Sequence, residues 1–458
     1  MKDPKSNDVP PPSSPRPSAR PNDPQARVDD PQGRADWPLS RSGRKLAGDS
    51  GIRFLMEDLG QALNTRADML MLGGGNPAAV PEIQALWRRR MRELVDNDGE
   101  FDRMLGNYDP PGGSPAFRQA FAELLRNTFG WPVTADNVAV TNGTQTAAFF
   151  LFNLLGGRGG DGRARRVLLP FSPEYIGYGD QALEVDTFLS CRPLITWPEG
   201  ESSRLFKYRL DFAAVEQALQ RGDIAAVAVS RPTNPTGNVL TQEELERLSE
   251  LAGRHGAVLI VDNAYGSPFP GIVFSDARPI HGPHVVNLFS LSKLGLPGTR
   301  TGIVVGPAPL IADIQAMTAV VGLANGNVGQ QLVLPLIQSG QVLDLGPHIL
   351  RPFYRQRSLF AQECIRREFD AAGLDWALHV SEGTFFHWVW LRGLRVTSLE
   401  LYQRLKRRNV LVVPGEYFFF GLEQDWPHRH ECLRIHYAQD ADVVREGLRR
   451  IAQEAAAR

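Results

Sequence analysis

The chain is 458 residues long and nearly neutral, with 50 Lys+Arg against 51 Asp+Glu. That length exceeds one small module and suits a large domain with appendages, or two domains. Neutrality gives no field to draw in nucleic acid or an anionic membrane, and no apolar run is long enough to span a bilayer. Three scattered cysteines, Cys191, Cys364 and Cys432, exclude a disulfide framework and a cysteine-based zinc site. A reducing, cytoplasmic setting is expected.

Residues 1–45 hold ten of the 34 prolines and almost no large apolar side chain, so they read as a disordered tail. Beyond them, short Val/Ile/Leu runs recur at 138–141, 167–170, 224–229, 258–261, 285–289 and 302–305. They lack in/out alternation, as strands buried on both faces do. Helical patterns lie between them, such as 242–255, where Thr241 and Glu244 form a capping-box signature. This rhythm predicts an α/β domain with a mostly parallel sheet sandwiched by helices. A long helix over 350–372 and strands near 385–391, 410–413 and 432–437 predict a smaller α+β C-terminal domain. The expected division is 46–85 joining the small domain, 86–345 the large domain and 346–458 the small one.

Ligands of parallel sheets bind beyond the carboxyl ends of the strands. There the sequence sets Gly143, Thr144 and Gln145 at a helix start, which favours a phosphate. Asn234 follows in a Pro/Gly-stiffened loop, then Asp262 with Tyr265, then Ser290, Ser292 and Lys293, then Arg300. Singly, each reads as a cap, a surface amine or half an ion pair. Together, four strand ends carrying ionisable groups build a site. The run Gly156 to Gly162 lacks the spacing of a nucleotide loop and reads as an exposed connection. His428 and His430 are better placed in a substrate loop than as metal ligands, so no metal is expected.

The set Asn234-Pro-Thr-Gly237, Asp262-x-x-Tyr265 and Ser290-x-Ser-Lys293 with Arg300 resembles the fold type I pyridoxal 5'-phosphate aminotransferases. Leu72-Gly-Gly-Gly-Asn-Pro77, Ser172-Pro-Glu-Tyr-Ile-Gly-Tyr178, Ser292-Lys-Leu-Gly-Leu-Pro-Gly298 and Trp426-Pro-His-Arg-His430 are similar to the valine–pyruvate aminotransferase family within it. The resemblance spans about Gly51 to Ile451 and leaves the tail out. It implies amino acids and 2-oxo acids as substrates, with L-valine and pyruvate exchanging the amino group.

The resemblance also implies roles. Lys293 would form the Schiff base and act as general base, with Asp262 at the ring nitrogen and Tyr265 and Asn234 at the ring's O3'. Gly143, Thr144, Gln145, Ser290, Ser292 and Arg300 would hold the phosphate, and Tyr175 would stack on the ring. Arg434, Gly75, Asn76 and Asn234 would bind the substrate carboxylate. Tyr108 would reach a neighbouring subunit's phosphate, which implies a homodimer with shared sites. Phe54, Leu55 and the run Tyr417 to Phe420 are candidates for the side-chain pocket. A broader alanine or aromatic aminotransferase, a decarboxylase or a β-lyase is the alternative on the same fold. An aminotransferase-like transcriptional regulator is the alternative of another class, disfavoured because 1–45 is too short for a winged helix.

Overall fold

The computed structural model describes residues 38–65 and 68–457. Residues 1–37 of the expected tail lie outside the described residues. Its last part is corrected: Arg41–Ala47 is a helix, with Ser40 Oγ accepting the Gly43 N–H at 3.0 Å and Lys45 Nζ bonding the Ala182 carbonyl. A serine cap and a buried-side anchor offset the ordering cost that composition alone disfavoured.

The main sheet has eight strands. Its path runs Val138–Thr141, Gly302–Val305, Val285–Ser290, Val258–Asp262, Ile224–Ser230, Ala164–Leu169 and Gly157–Arg158, with Phe188–Ser190 also on Ala164–Leu169. The strands 285–290, 258–262, 224–230 and 164–169 are mutually parallel, so their carboxyl ends share one edge. Gly302–Val305 runs antiparallel to both its neighbours. It therefore begins where they end, which delivers Arg300 to the same edge. Glycine at 302 is needed there, because a Cβ would lie 2.5 Å from Gly143 C and Thr144 N. Helices such as Thr144–Leu155 and Gln242–Arg254 cover the sheet; the latter carries the Thr241–Glu244 capping box.

A second, six-stranded sheet runs Val413–Pro414, Cys432–His436, Phe386–Leu391, Trp376–His379, Leu205–Arg209 and Leu194–Thr196. The hairpin 194–209 thus leaves the main sheet to pair with C-terminal strands, although its sequence position falls within 86–345. Phe206 and Tyr208 from it pack with Trp388 and Phe418 in an aromatic core. Leu70–Met71 pairs in parallel with Val410–Leu411, tying the N-terminal segment to the C-terminal one.

Candidate active site

A cavity of about 480 Å³ opens along the carboxyl edge of the main sheet, against Gly74–Asn76 and the second sheet. It gathers Thr144, Gln145, Tyr175, Asn234, Asp262, Tyr265, Ser290, Ser292, Lys293, Arg300 and Arg434. Gly143 is not in its wall but caps the helix Thr144–Leu155 at φ 84°. A Cβ on Gly143 would lie 2.3 Å from Arg300 Nη2, so glycine admits the guanidinium to the helix start. The Gln145 side chain is turned to the Gly177 carbonyl, at 2.8 Å, and fixes the turn that carries Tyr175.

Lys293 is half-buried and donates to the Gly75 carbonyl at 2.8 Å. Its Nζ lies 5.3 Å from the centre of the Tyr265 ring and 5.2 Å from that of Phe385. Burial, then the charges of Arg434 and Arg300, lower its pKa to about 7, against the pull of Asp262. Asp262 is buried and accepts from the Tyr178 hydroxyl at 2.5 Å and the Ala264 N–H at 2.9 Å. Burial raises its pKa, and those two bonds and Lys293 oppose the rise. Tyr265 is buried, which holds its phenol protonated well above the ordinary range.

Arg434 is buried, with Nη1 on Asn234 Oδ1 and Nη2 on the Gly73 carbonyl, each at 2.9 Å. Its Nε is buried with no partner, and the guanidinium lies 4.1 Å from the centre of the Phe386 ring. Burial lowers its pKa to about 10, so it stays a cation at neutral pH.

Three expectations are corrected, for the aromatic run, for Phe54, which packs on Tyr402 and Tyr417 outside the cavity wall, and for His428. The run Tyr417 to Phe420 does not line the cavity: Phe418 and Phe419 are buried in the second sheet's aromatic core and Phe420 packs on Phe188. The apolar wall is instead Ile52, Leu55, Met56 and Ile176, since the helix Gly51–Thr65 lies across the opening. His428 is no substrate-loop residue; it is buried against Trp426 and Trp390 and bonded to the Tyr208 hydroxyl. Tyr108 is outside this chain's cavity and 82% exposed. No cluster of His, Cys, Asp or Glu fit to hold a metal occurs among the described residues.

Sequence reasoning missed Tyr178, Glu174, Ser230 and His436. Ser230 and His436 line the cavity, and His436 is fully buried with Nδ1 on Gln439 Nε2 at 3.0 Å. The signal for Tyr178 was its spacing of three from Tyr175, one turn on. The others depend on contacts between distant segments.

The family model described as Aminotransferase class I and II matches residues 87–451. The chain is 44% identical over 413 residues to the valine–pyruvate aminotransferase of Escherichia coli (strain K12), covering 90% of this chain and 96% of that one. The crystal structure of valine–pyruvate aminotransferase from Salmonella typhimurium LT2 superposes with a TM-score of 0.79 at 42% identity, over 88% of this chain and 98% of that one. The aspartate aminotransferase of Thermus thermophilus, at 22% identity and TM-score 0.72 over 91% and 99% of the two chains, shares the fold. The architecture is therefore that of fold type I, and with a match spanning both sheets and every strand end at the cavity, the chain belongs to the class I and II aminotransferases.

Proposed function

We propose that the chain is a pyridoxal 5'-phosphate-dependent aminotransferase passing the amino group of L-valine to pyruvate, to give 3-methyl-2-oxobutanoate and L-alanine. The observation that carries this is a lysine, Lys293, sharing one cavity with a buried carboxylate, Asp262, and a buried arginine, Arg434. The cofactor fits these residues: Gly143 leaves room for a guanidinium at a helix start, and Arg434 keeps an orphaned Nε. Bound, it supplies a conjugated ring that accepts the electron pair left when an amino acid loses its Cα proton.

The chain's own residues do the rest. The backbone N–H groups of Thr144 and Gln145, with Ser290, Ser292 and Arg300, would bind the phosphate dianion beside Gly143, whose own N–H goes to the Thr141 carbonyl at 2.7 Å. Asp262, held by Tyr178, would keep a proton on the ring nitrogen, and Asn234 and Tyr265 would serve O3'. Tyr175 would cover the ring face. Lys293, about half of it neutral at pH 7, would take the proton from the substrate Cα and deliver it to the cofactor's C4'. Arg434, with Gly75 and Asn76, orients the carboxylate. Ile52, Leu55, Met56 and Ile176 receive a branched aliphatic side chain. Such a wall distinguishes one methylene by only about 1–3 kcal/mol, so alanine and 2-aminobutyrate also serve.

The active form is a homodimer in the cytoplasm, with Tyr108 reaching the phosphate end of the partner's cavity. Tyr108 sits on a segment pinned by the Asn327 side chain, which donates to the Met104 and Asn107 carbonyls; Leu105, Val320, Val321 and Leu323 are exposed as well. Free, buried Cys191, Cys364 and Cys432 suit a reducing compartment. The test is a donor panel with pyruvate as acceptor: L-valine should yield 3-methyl-2-oxobutanoate and L-alanine. Turnover of L-aspartate with none of L-valine would refute the substrate assignment.

A further inference from the structure

Glu174 is fully buried and stands outside the cavity wall. Its Oε1 accepts the Tyr175 N–H at 2.8 Å and the Ser230 hydroxyl, and its Oε2 accepts the Ser230 N–H at 2.9 Å. Ser230 Oγ also accepts the Asn234 N–H at 3.3 Å, and Asn234 Oδ1 holds Arg434. The Glu174 N–H donates to the Phe418 carbonyl at 2.9 Å, and the centre of the Phe418 ring lies 5.5 Å from the Arg434 guanidinium. The carboxyl therefore ties the residue that faces the ring to Ser230 and, through Ser230 Oγ, to the loop whose Asn234 holds the substrate clamp, while the backbone of Glu174 reaches Phe418.

A buried carboxyl is costly unless its acceptors are satisfied. Here three donors converge on it and it donates nothing, the pattern of an ionised carboxylate. Burial opposes that charge and raises the pKa to about 7, with the negative charge of Asp262 adding to the rise. A residue needed only for volume would be apolar or amide at this place. A glutamine, in either amide orientation, would turn its NH₂ group on a backbone N–H.

We propose that Glu174 is a positioning residue of the transamination site, coupling Tyr175, Asn234 and Arg434 so that ring face and carboxylate clamp keep one fixed relation. This rests on the functional reading above. The test compares wild type, Glu174→Gln and Glu174→Asp, each loaded with pyridoxal phosphate, by steady-state kinetics and by visible circular dichroism of the bound cofactor. Glu174→Gln should raise KM for both L-valine and pyruvate about tenfold, the effect of one lost buried hydrogen bond, with a smaller change in kcat. It should also change the visible dichroism, because the ring's aromatic neighbour shifts. Glu174→Asp, which keeps the acceptors, should recover part of both signals. If Glu174→Gln does not fold, Ser230→Ala removes the link to Asn234 and should raise both KM values about threefold.

Kinetics within twofold of wild type and unaltered dichroism in Glu174→Gln, or unaltered KM in Ser230→Ala, would overturn the proposal while leaving the function intact. A wild type with neither cofactor band nor transamination would overturn both.

Discussion

Nη1 of Arg434 donates to Oδ1 of Asn234 at 2.9 Å, joining a strand of the second sheet to the loop beyond a strand of the first. The proposed clamp is thus held in place by the chain itself, with Nη2 on the Gly73 carbonyl. Lysine offers one point charge where arginine offers a planar fork. Arg434→Lys should raise KM for both L-valine and pyruvate by about a hundredfold with a small change in Tm. Steady-state kinetics in both directions checks this; an unaltered KM contradicts the clamp.

Asp262 is buried between Tyr178 and the Ala264 N–H. Asp262→Asn keeps the shape and removes the charge. Losing one member of a buried charged pair costs about 3 kcal/mol, roughly a hundredfold in rate. Single-turnover kinetics with L-valine should show that loss in the proton-transfer step. Tyr178→Phe, which removes one of two bonds to the carboxylate, should lose less.

The pH dependence follows from Lys293, lowered from 10.5 to about 7. Between those values the unfolded chain binds a proton that the folded one does not, so this lysine makes stability rise with pH there. Below about pH 7 its buried charge is fully destabilising. In cofactor-free protein, Lys293→Met should therefore exceed wild type in Tm at pH 7, and the gap should shrink towards pH 10. Thermal melts across that range decide it; a constant gap means the lysine's pKa is not lowered.

Gly302→Ala sets a Cβ against backbone atoms of Gly143 and Thr144. Overpacking of this kind costs about 1–3 kcal/mol. It should also push the helix start away from Arg300 and weaken cofactor binding. Calorimetry and cofactor titration should show both losses together; a lower Tm with undiminished affinity would separate Gly302 from the phosphate end.

Leu323 is exposed, as are Val320 and Val321, at the C-terminal end of the helix Ala308–Gly322, shortly before Asn327, whose side chain holds the Asn107 carbonyl of the Tyr108 segment. A charge there opposes burial against a second copy. Leu323→Asp should convert the proposed dimer to monomer and lose activity with it, as sedimentation and assay on one sample would reveal. A fully active monomer contradicts shared sites.

The main sheet was legible because its strands are short, β-branched and buried on both faces, and because a parallel sheet puts its chemistry at one set of ends. Asp262, Ser290 and Lys293 could be picked from that rule alone, and Arg300 joins them because its strand runs the other way. Arg434 could not: on pattern it is a strand arginine, and resemblance alone singled it out. The hairpin 194–209 was illegible for a different reason. Its partners lie some 170 residues on, at Leu378 and His379, and pairing of that range leaves no local mark. The same holds for Glu174, whose acceptors meet Ser230 across 56 residues. Aromatic runs mislead as well, since Phe418 and Phe419 fill a core as readily as they would a pocket.

The central claim is that Lys293 carries the cofactor through which L-valine gives up its amino group. Purified protein with pyridoxal phosphate should show the visible band of a lysine-bound cofactor. One equivalent of L-valine should bleach it, pyruvate should restore it, and Lys293→Ala should lack it. A band that persists in Lys293→Ala, or that L-valine leaves untouched, would contradict the account.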